Sequence, residues 1–153
     1  MTWTVRAASR DDVGALVEFN HAMAAESEDK SLDLDRLRAG IEHLFDAPQD
    51  GYYLVACEGN TSVGALMVTY EWSDWRNGRF WWIQSVYVRP SHRRRGVYAA
   101  LHRHVRDGAR ADPACCGLRL YVEVENSGAM ATYRRLGMAE THYRLYEEDF
   151  SAR

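Results

Sequence analysis

Three consecutive arginines, Arg93, Arg94 and Arg95, run straight into Gly96, and Gly96 opens a helical pattern. Backbone N–H groups at a helix start have no intrahelical partner, and the macrodipole is positive there. A glycine lets a ligand approach that backbone closely. Arginine adds a charge that can meet phosphate bidentately. The chemistry on offer is anion capture, with a phosphate or pyrophosphate as the natural occupant. The same residues also read as a solvated basic loop capping a helix. With one glycine and no GK[ST] ending, the turn is neither a P-loop nor a dinucleotide fingerprint.

The elements that must position this turn follow from periodicity. Trp3 to Ala8 reads as a first strand, and Ser9 stands as an N-cap with Asp11 and Asp12 in the first turn. Val13, Leu16, Val17 and Met23 give a helical face up to about Ala25. The acidic stretch from Glu26 to Ser31 reads as a break, and a second helix runs from about Leu34 to Phe45. Tyr52 to Glu58 and Ser62 to Trp72 are strands joined at Gly59-Asn60. The loop Ser73 to Arg79 leads to Phe80–Val88, an apolar run expected as a central strand. A helix from about Gly96 to Arg110 carries a stripe of Val97, Ala100, Leu101, His104 and Val105. Gly117 to Glu125 alternates as a strand, and Ser127 to Leu136 is a short helix closed by Gly137. Met138 to Phe150 is expected to add a strand or two. The order is β-α-α-β-β-β-α-β-α-β-β. It predicts an α/β fold with a mixed, mostly antiparallel central sheet flanked by helices, in a single domain over 1–153.

Composition narrows the function. The chain has 153 residues, 46% hydrophobic and 27% charged, which is globular. No run approaches the roughly 18 apolar residues of a membrane span, and no apolar signal core follows Met1, so a cytoplasmic protein is expected. Cys57, Cys115 and Cys116 make neither a disulfide framework nor a zinc spacing. His102 and His104, two apart on a helix, share no face, so no metal is expected. A net charge of −3 argues against nucleic acid as partner.

At this point two segments carry a resemblance. RRRGVY, Arg93 to Tyr98, resembles the Q/R-x-x-G-x-G/A acetyl-CoA pyrophosphate loop of the GNAT superfamily of N-acetyltransferases. NSGAMATYRRLGM, Asn126 to Met138, resembles that family's N-x-x-A-x-x-x-Y-x-x-x-G-F/M segment, in which Asn126, Ala129 and Tyr133 stand at the motif positions. The element order is also similar. Tyr98 departs from the pattern, standing where glycine or alanine is usual.

The resemblance implies acetyl-CoA as co-substrate. Backbone N–H groups from Arg94 through Arg95, Gly96 and Val97 to Tyr98 would hold the pyrophosphate, with the charge of Arg93 beside them. The strand end Val86-Tyr87-Val88 would pair with pantetheine through Val86 and Val88, and the N–H of Val86 would serve the oxyanion. Asn126 would meet the pantetheine arm, although it could equally be only an N-cap. Tyr133 would protonate the leaving thiolate, although its spacing from Ala129 and Leu136 also suits core packing. Many members carry a glutamate where this chain has Gln84, and an amide takes no proton. A water-relayed route from Glu123, Glu125 or Glu71 is one answer and a neutral amine that needs no base is the other, with Glu123 the candidate among the carboxylates.

The acceptor side is expected around Glu26, Glu28, Trp72, Trp82 and Gln84, where aromatic walls and carboxylates would suit a cationic amine. The reading is an N-acetyltransferase acting on a primary amine of a small molecule such as a polyamine or an amino acid. The alternatives are a non-catalytic acetyl-CoA-binding domain and a protein or peptide N-acetyltransferase. The resemblance also implies a homodimer.

Overall fold

The computed structural model describes residues 3–151, which fall into two compact units, one ending at Tyr121 and one beginning at Val122. In the first unit, β1 (Thr4–Ala7), α1 (Val13–Glu28), α2 (Leu34–Asp46), β2 (Tyr52–Glu58), β3 (Thr61–Ser73), β4 (Gly78–Val88), α3 (Val97–Ala111) and β5 (Cys115–Arg119) follow in chain order. The second unit holds α4 (Ser127–Arg135). One sheet runs β1-β2-β3-β4-β5. The first three pairings are antiparallel and β4–β5 is parallel, as a helix crossover between them requires. The architecture is the mixed α/β sheet that the patterning predicts.

Both faces of the sheet are covered. Val97, Leu101, Val105 and Ala109 of α3 pack on one face against Leu54, Leu66, Val68, Trp81 and Ile83. Val13, Leu16 and Phe19 of α1 and Ile41 of α2 pack on the other against Tyr53, Val55, Ala65 and Tyr87. Sheets covered on both sides read as long apolar runs, which is why β4 is so apolar.

Several boundaries differ from expectation, each for a local reason. Helix α1 runs on to Glu28 and ends at Asp29, which adopts the left-handed conformation (φ 52°) and bonds back to the Ala24 carbonyl. Polarity alone does not stop a helix, and glutamate is a good helix former. Ser9 precedes a 3-10 turn, Arg10–Asp12, rather than α1 itself. Within that turn Asp12 is buried, accepts two bonds from the Arg6 guanidinium at 2.7 and 3.0 Å and accepts the Ser9 N–H at 2.7 Å. Those bonds, Arg6 foremost, hold its pKa below the ordinary carboxylate value.

The strand expected to reach Glu125 ends at Arg119, and residues 138–150 hold no strand. Tyr143, Leu145, Tyr146 and Phe150 are exposed, and aromatic or apolar residues form a strand only against a packing layer. Among the described residues no helix is long and apolar enough to cross a membrane.

Helix α3 also corrects its expected stripe. His104 faces solvent and His102 is fully buried. The stripe Val97, Leu101, Val105 and Ala109 is flanked on the Tyr98 side, which brings His102 inward. The Tyr98 hydroxyl lies 3.1 Å from His102 Nδ1, and Arg106 Nη2 lies 3.3 Å from Nε2. A guanidinium only donates, so Nε2 is the bare nitrogen and Nδ1–H donates to the Tyr98 oxygen. Burial, helped by the Arg106 charge, pushes the His102 pKa down from 6.5 to about 4.

A histidine whose folded pKa lies below its unfolded value stabilises the fold fully above the unfolded pKa. That stability is lost as pH falls from about 6.5 toward 4, because the unfolded chain binds the extra proton. Unfolding free energy measured by urea titration should therefore drop across that window by on the order of 2–3 kcal/mol. His102→Gln should flatten this segment of the profile. An unchanged profile in the variant would show that His102 does not titrate on unfolding.

Candidate active site

The site starts from an irregularity in the central pair. Ala65 faces Tyr87 and Met67 faces Gln84, so Leu66 alone opposes Ser85 and Val86. This is a β-bulge, and Ser85 takes the left-handed conformation that such bulges use (φ 51°). The bulge reverses the alternation of β4. Trp81 and Ile83 point into the α3 layer before it, Val86 and Val88 pack on that same layer after it, and Tyr87 points into the α1 layer. A bulge takes its extra residue out of the ladder, here at Ser85 and Val86.

The other edge of β4 has no strand partner at the same level. Pairing with β5 runs from Arg79↔Cys115 to Trp82↔Arg119 and stops. Beyond it, from Ile83 to Val88, β4 has β3 on one side and no strand on the other within the first unit. An unpaired edge offers N–H and C=O groups to an extended ligand that carries amides.

That edge leads into the arginine–glycine turn. The Arg89 N–H bonds to the Val63 carbonyl at 2.8 Å, a 3-10 turn spans Pro90–His92, and Gly96 begins α3 with φ 85°. A Cβ added at Gly96 would meet no heavy atom within 4 Å, so the space above that backbone is clear. Tyr98, the departure from the motif, leaves it clear because its ring packs against the His102 ring, 5.6 Å between centroids.

The arginines themselves are largely committed. Arg93 pairs with Glu26 at 2.7 Å and donates through Nε to the Val88 carbonyl at 2.9 Å. Arg95 lies 3.7 Å from Glu58 and 5.3 Å above the Trp3 ring, and the Trp3 indole donates to the Arg95 carbonyl at 3.2 Å. Glu58 also meets His92 at 3.0 Å, and that bond above all holds its pKa down. Arg94 is exposed, in the left-handed region at φ 62°. The turn therefore presents backbone N–H groups, with the flanking charges braced by carboxylates on two sides.

Of the five expected acceptor residues, Glu26, Trp82 and Gln84 sit in hydrogen-bonded groups. Glu26, at the end of α1, accepts from Arg93 and from the Tyr87 hydroxyl at 3.1 Å, and Arg93 foremost holds its pKa below the usual value. Glu28 sits apart, 3.9 Å from Lys30. On β3 and β4, Gln84 donates to Thr69 Oγ1 and accepts from the Tyr121 hydroxyl at 3.4 Å. Trp82 stacks near Tyr121 and donates to Glu71 at 3.3 Å, while Arg119 holds the same Glu71 oxygen at 2.7 Å. Trp72 is exposed. Sequence reasoning missed the brace residues Trp3, Glu58, His92, Thr69 and Tyr121. Their partners lie up to 92 positions away, and no local signal marks them.

The second unit carries the remaining expected residues. Asn126 caps α4, its side chain accepting the Ala129 N–H at 3.1 Å. Glu123 Oε2 accepts the Glu125 N–H at 2.9 Å. Tyr133 lies on α4, and burial raises its pKa above 10.0, so the phenol keeps its proton at neutral pH. Among the described residues no cluster of His, Cys, Asp and Glu could hold a metal.

Residues 17–138 match the acetyltransferase (GNAT) family model. The chain belongs to the GNAT family of acetyltransferases. It is 30% identical over 133 residues to a mycothiol acetyltransferase of Corynebacterium aurimucosum, covering 80% of this chain and 42% of that one. It is 32% identical over 80 residues to a thialysine N-epsilon-acetyltransferase of Bos taurus, covering 52% and 46%. The chain thus spans less than half the length of these curated relatives. A solved structure described as a possible acetyltransferase from Clostridium difficile 630 superposes with a TM-score of 0.89 at 42% identity, over 97% of this chain and 98% of that one.

The left-handed backbone at Gly96 is a position where any side chain strains the fold despite the free space. Gly96→Ala should lower stability by about 1 kcal/mol in urea unfolding. Gly40→Ala, in the exposed middle of α2 with equally free space, should raise it by about the same amount. Equal effects at both sites would mean that the turn at Gly96 is not left-handed.

Proposed function

We propose that the chain is an N-acetyltransferase that moves the acetyl group of acetyl-CoA to a primary amine of a small molecule, a polyamine, amino acid or amino-acid-like compound. The observation that carries this reading is the continuity of the open β4 edge with the clear backbone at Gly96. The residues fit acetyl-CoA. N–H groups from Arg94 to Tyr98 would take its pyrophosphate, and the edge from Val86 to Val88 would pair with its pantetheine amides. Both units are read as one N-acetyltransferase domain, since the family match runs across the boundary at Tyr121. Two relatives whose names put the acetyl group on a small molecule support the acceptor class.

The chemistry assigns roles to the chain's own groups. An alkyl ammonium with pKa near 10.4 leaves about one molecule in a thousand neutral at pH 7.4, so a proton must leave before or during attack. Gln84 cannot take it, and its amide is held between Thr69 and Tyr121. Glu71 is tied to Arg119 and Trp82. Glu123, through water, is the candidate base. The Val86 N–H, beside the bulge, would be the oxyanion donor. Tyr133, which keeps its proton, is the acid for the leaving thiolate, and Asn126 would hold the pantetheine arm where α4 begins.

One observation favours a second reading. The locked amide of Gln84 suits a domain that binds acetyl-CoA without turnover. A screen of acetyl-CoA turnover against polyamines, amino acids, aminoglycosides and peptide N-termini separates the two. With the acceptor in hand, Tyr133→Phe should lower kcat by about a hundredfold or more, with acetyl-CoA affinity unchanged by calorimetry. Wild-type kcat in that variant would remove Tyr133 from the mechanism. Tight binding without turnover across the panel would favour the second reading.

A further inference from the structure

Arg93 is expected at the donor phosphates and Glu26 at the acceptor, yet in the structure they hold each other. Arg93 Nη2 lies 2.7 Å from Glu26 Oε2, and the other Glu26 oxygen accepts the Tyr87 hydroxyl at 3.1 Å. The guanidinium also lies 5.4 Å above the Tyr87 ring. Both members are half exposed, with side-chain accessibilities of 45% and 44%. A pair in that setting is weak in water. A bidentate arginine–phosphate contact is stronger and more specific. Arg93 stands three positions before Gly96, on the segment that would meet the diphosphate.

We propose that Glu26 and the donor's diphosphate compete for Arg93, so that Glu26 sets the affinity for the acyl donor and is released when the donor binds. This rests on the reading of the Gly96 turn as the donor site. Removing the competing carboxylate leaves Arg93 ready for phosphate and abolishes the cost of breaking the pair. The release leaves a carboxylate at the end of α1, beside Tyr87, available to a cationic acceptor.

Isothermal calorimetry with coenzyme A, and with pantetheine as a probe lacking the diphosphate, tests this. Glu26→Gln should bind coenzyme A roughly two- to five-fold tighter than wild type. It should bind pantetheine at wild-type affinity. Adding Arg93→Gln should remove the gain. Thermal melts of each variant verify the fold, and Glu26→Ala offers a second test should the Gln variant not fold. Wild-type or weaker coenzyme A binding by Glu26→Gln would show that the pair is a strut, and would overturn the proposal. So would an equal gain for pantetheine. Failure of the wild-type protein to bind coenzyme A at all is a different result, which would overturn the donor-site reading itself.

Discussion

The extra residue in β4 is the constraint on which the remainder rests. A strand alternates faces strictly, so one inserted residue exchanges the faces of everything after it. Before the bulge, Trp81 and Ile83 serve the α3 layer. After it, Val86 and Val88 do so, and Tyr87 reaches the α1 layer, where it packs on Phe19 and meets Glu26. Ser85 accepts an unfavourable backbone conformation for this. The apolar layers on both sides of the sheet keep the register from slipping back. A regular β4 would put Tyr87 under α3 and would give Glu26 and Arg93 no common partner.

The second organising feature is electrostatic. A run of three arginines looks like a surplus of positive charge, but two of the three are braced by carboxylates, Glu26 on one side and Glu58 on the other. The two braces differ. Arg95 is held by Glu58 and lies over the Trp3 ring, whose indole also binds the Arg95 carbonyl and so fixes the main-chain path. Arg93 is held to Glu26 by a half-exposed pair that an anion can displace. Amides held in place need no reorganisation when an anion arrives, whereas mobile guanidinium groups lose side-chain entropy on ordering. Glu58 thus contributes shape at Arg95, and Glu26 moderates the attraction at Arg93.

Much of the fold was legible because its signals are local. Gly59-Asn60 ends β2, the apolar run of β4 marks the sheet centre, and Gly96 marks the head of α3. The limits of β5 and the C-terminal stretch were not legible, since alternation describes a strand only where a layer and a ladder partner exist. At the site, motif positions located the turn, while the pairing of Arg93 with Glu26 across 67 positions left no trace in spacing. The exchange of His102 for His104 in the core has the same origin. Two residues of one type, two positions apart, differ only in which flank of a stripe the neighbouring layer covers.

That exchange explains how the chain tolerates a large side chain at Tyr98, where the family pattern favours a small one. A phenol two positions from Gly96 must go somewhere, and over Gly96 it would close the approach to that backbone. The buried, neutral His102 provides the alternative, because its Nδ1–H donates to the Tyr98 oxygen while Arg106 occupies Nε2. The tautomer is fixed by a donor that cannot become an acceptor. Since Tyr98, His102 and Arg106 are spaced four apart, all three lie along one side of α3, and the helix draws the bulky ring away from the backbone at its own head.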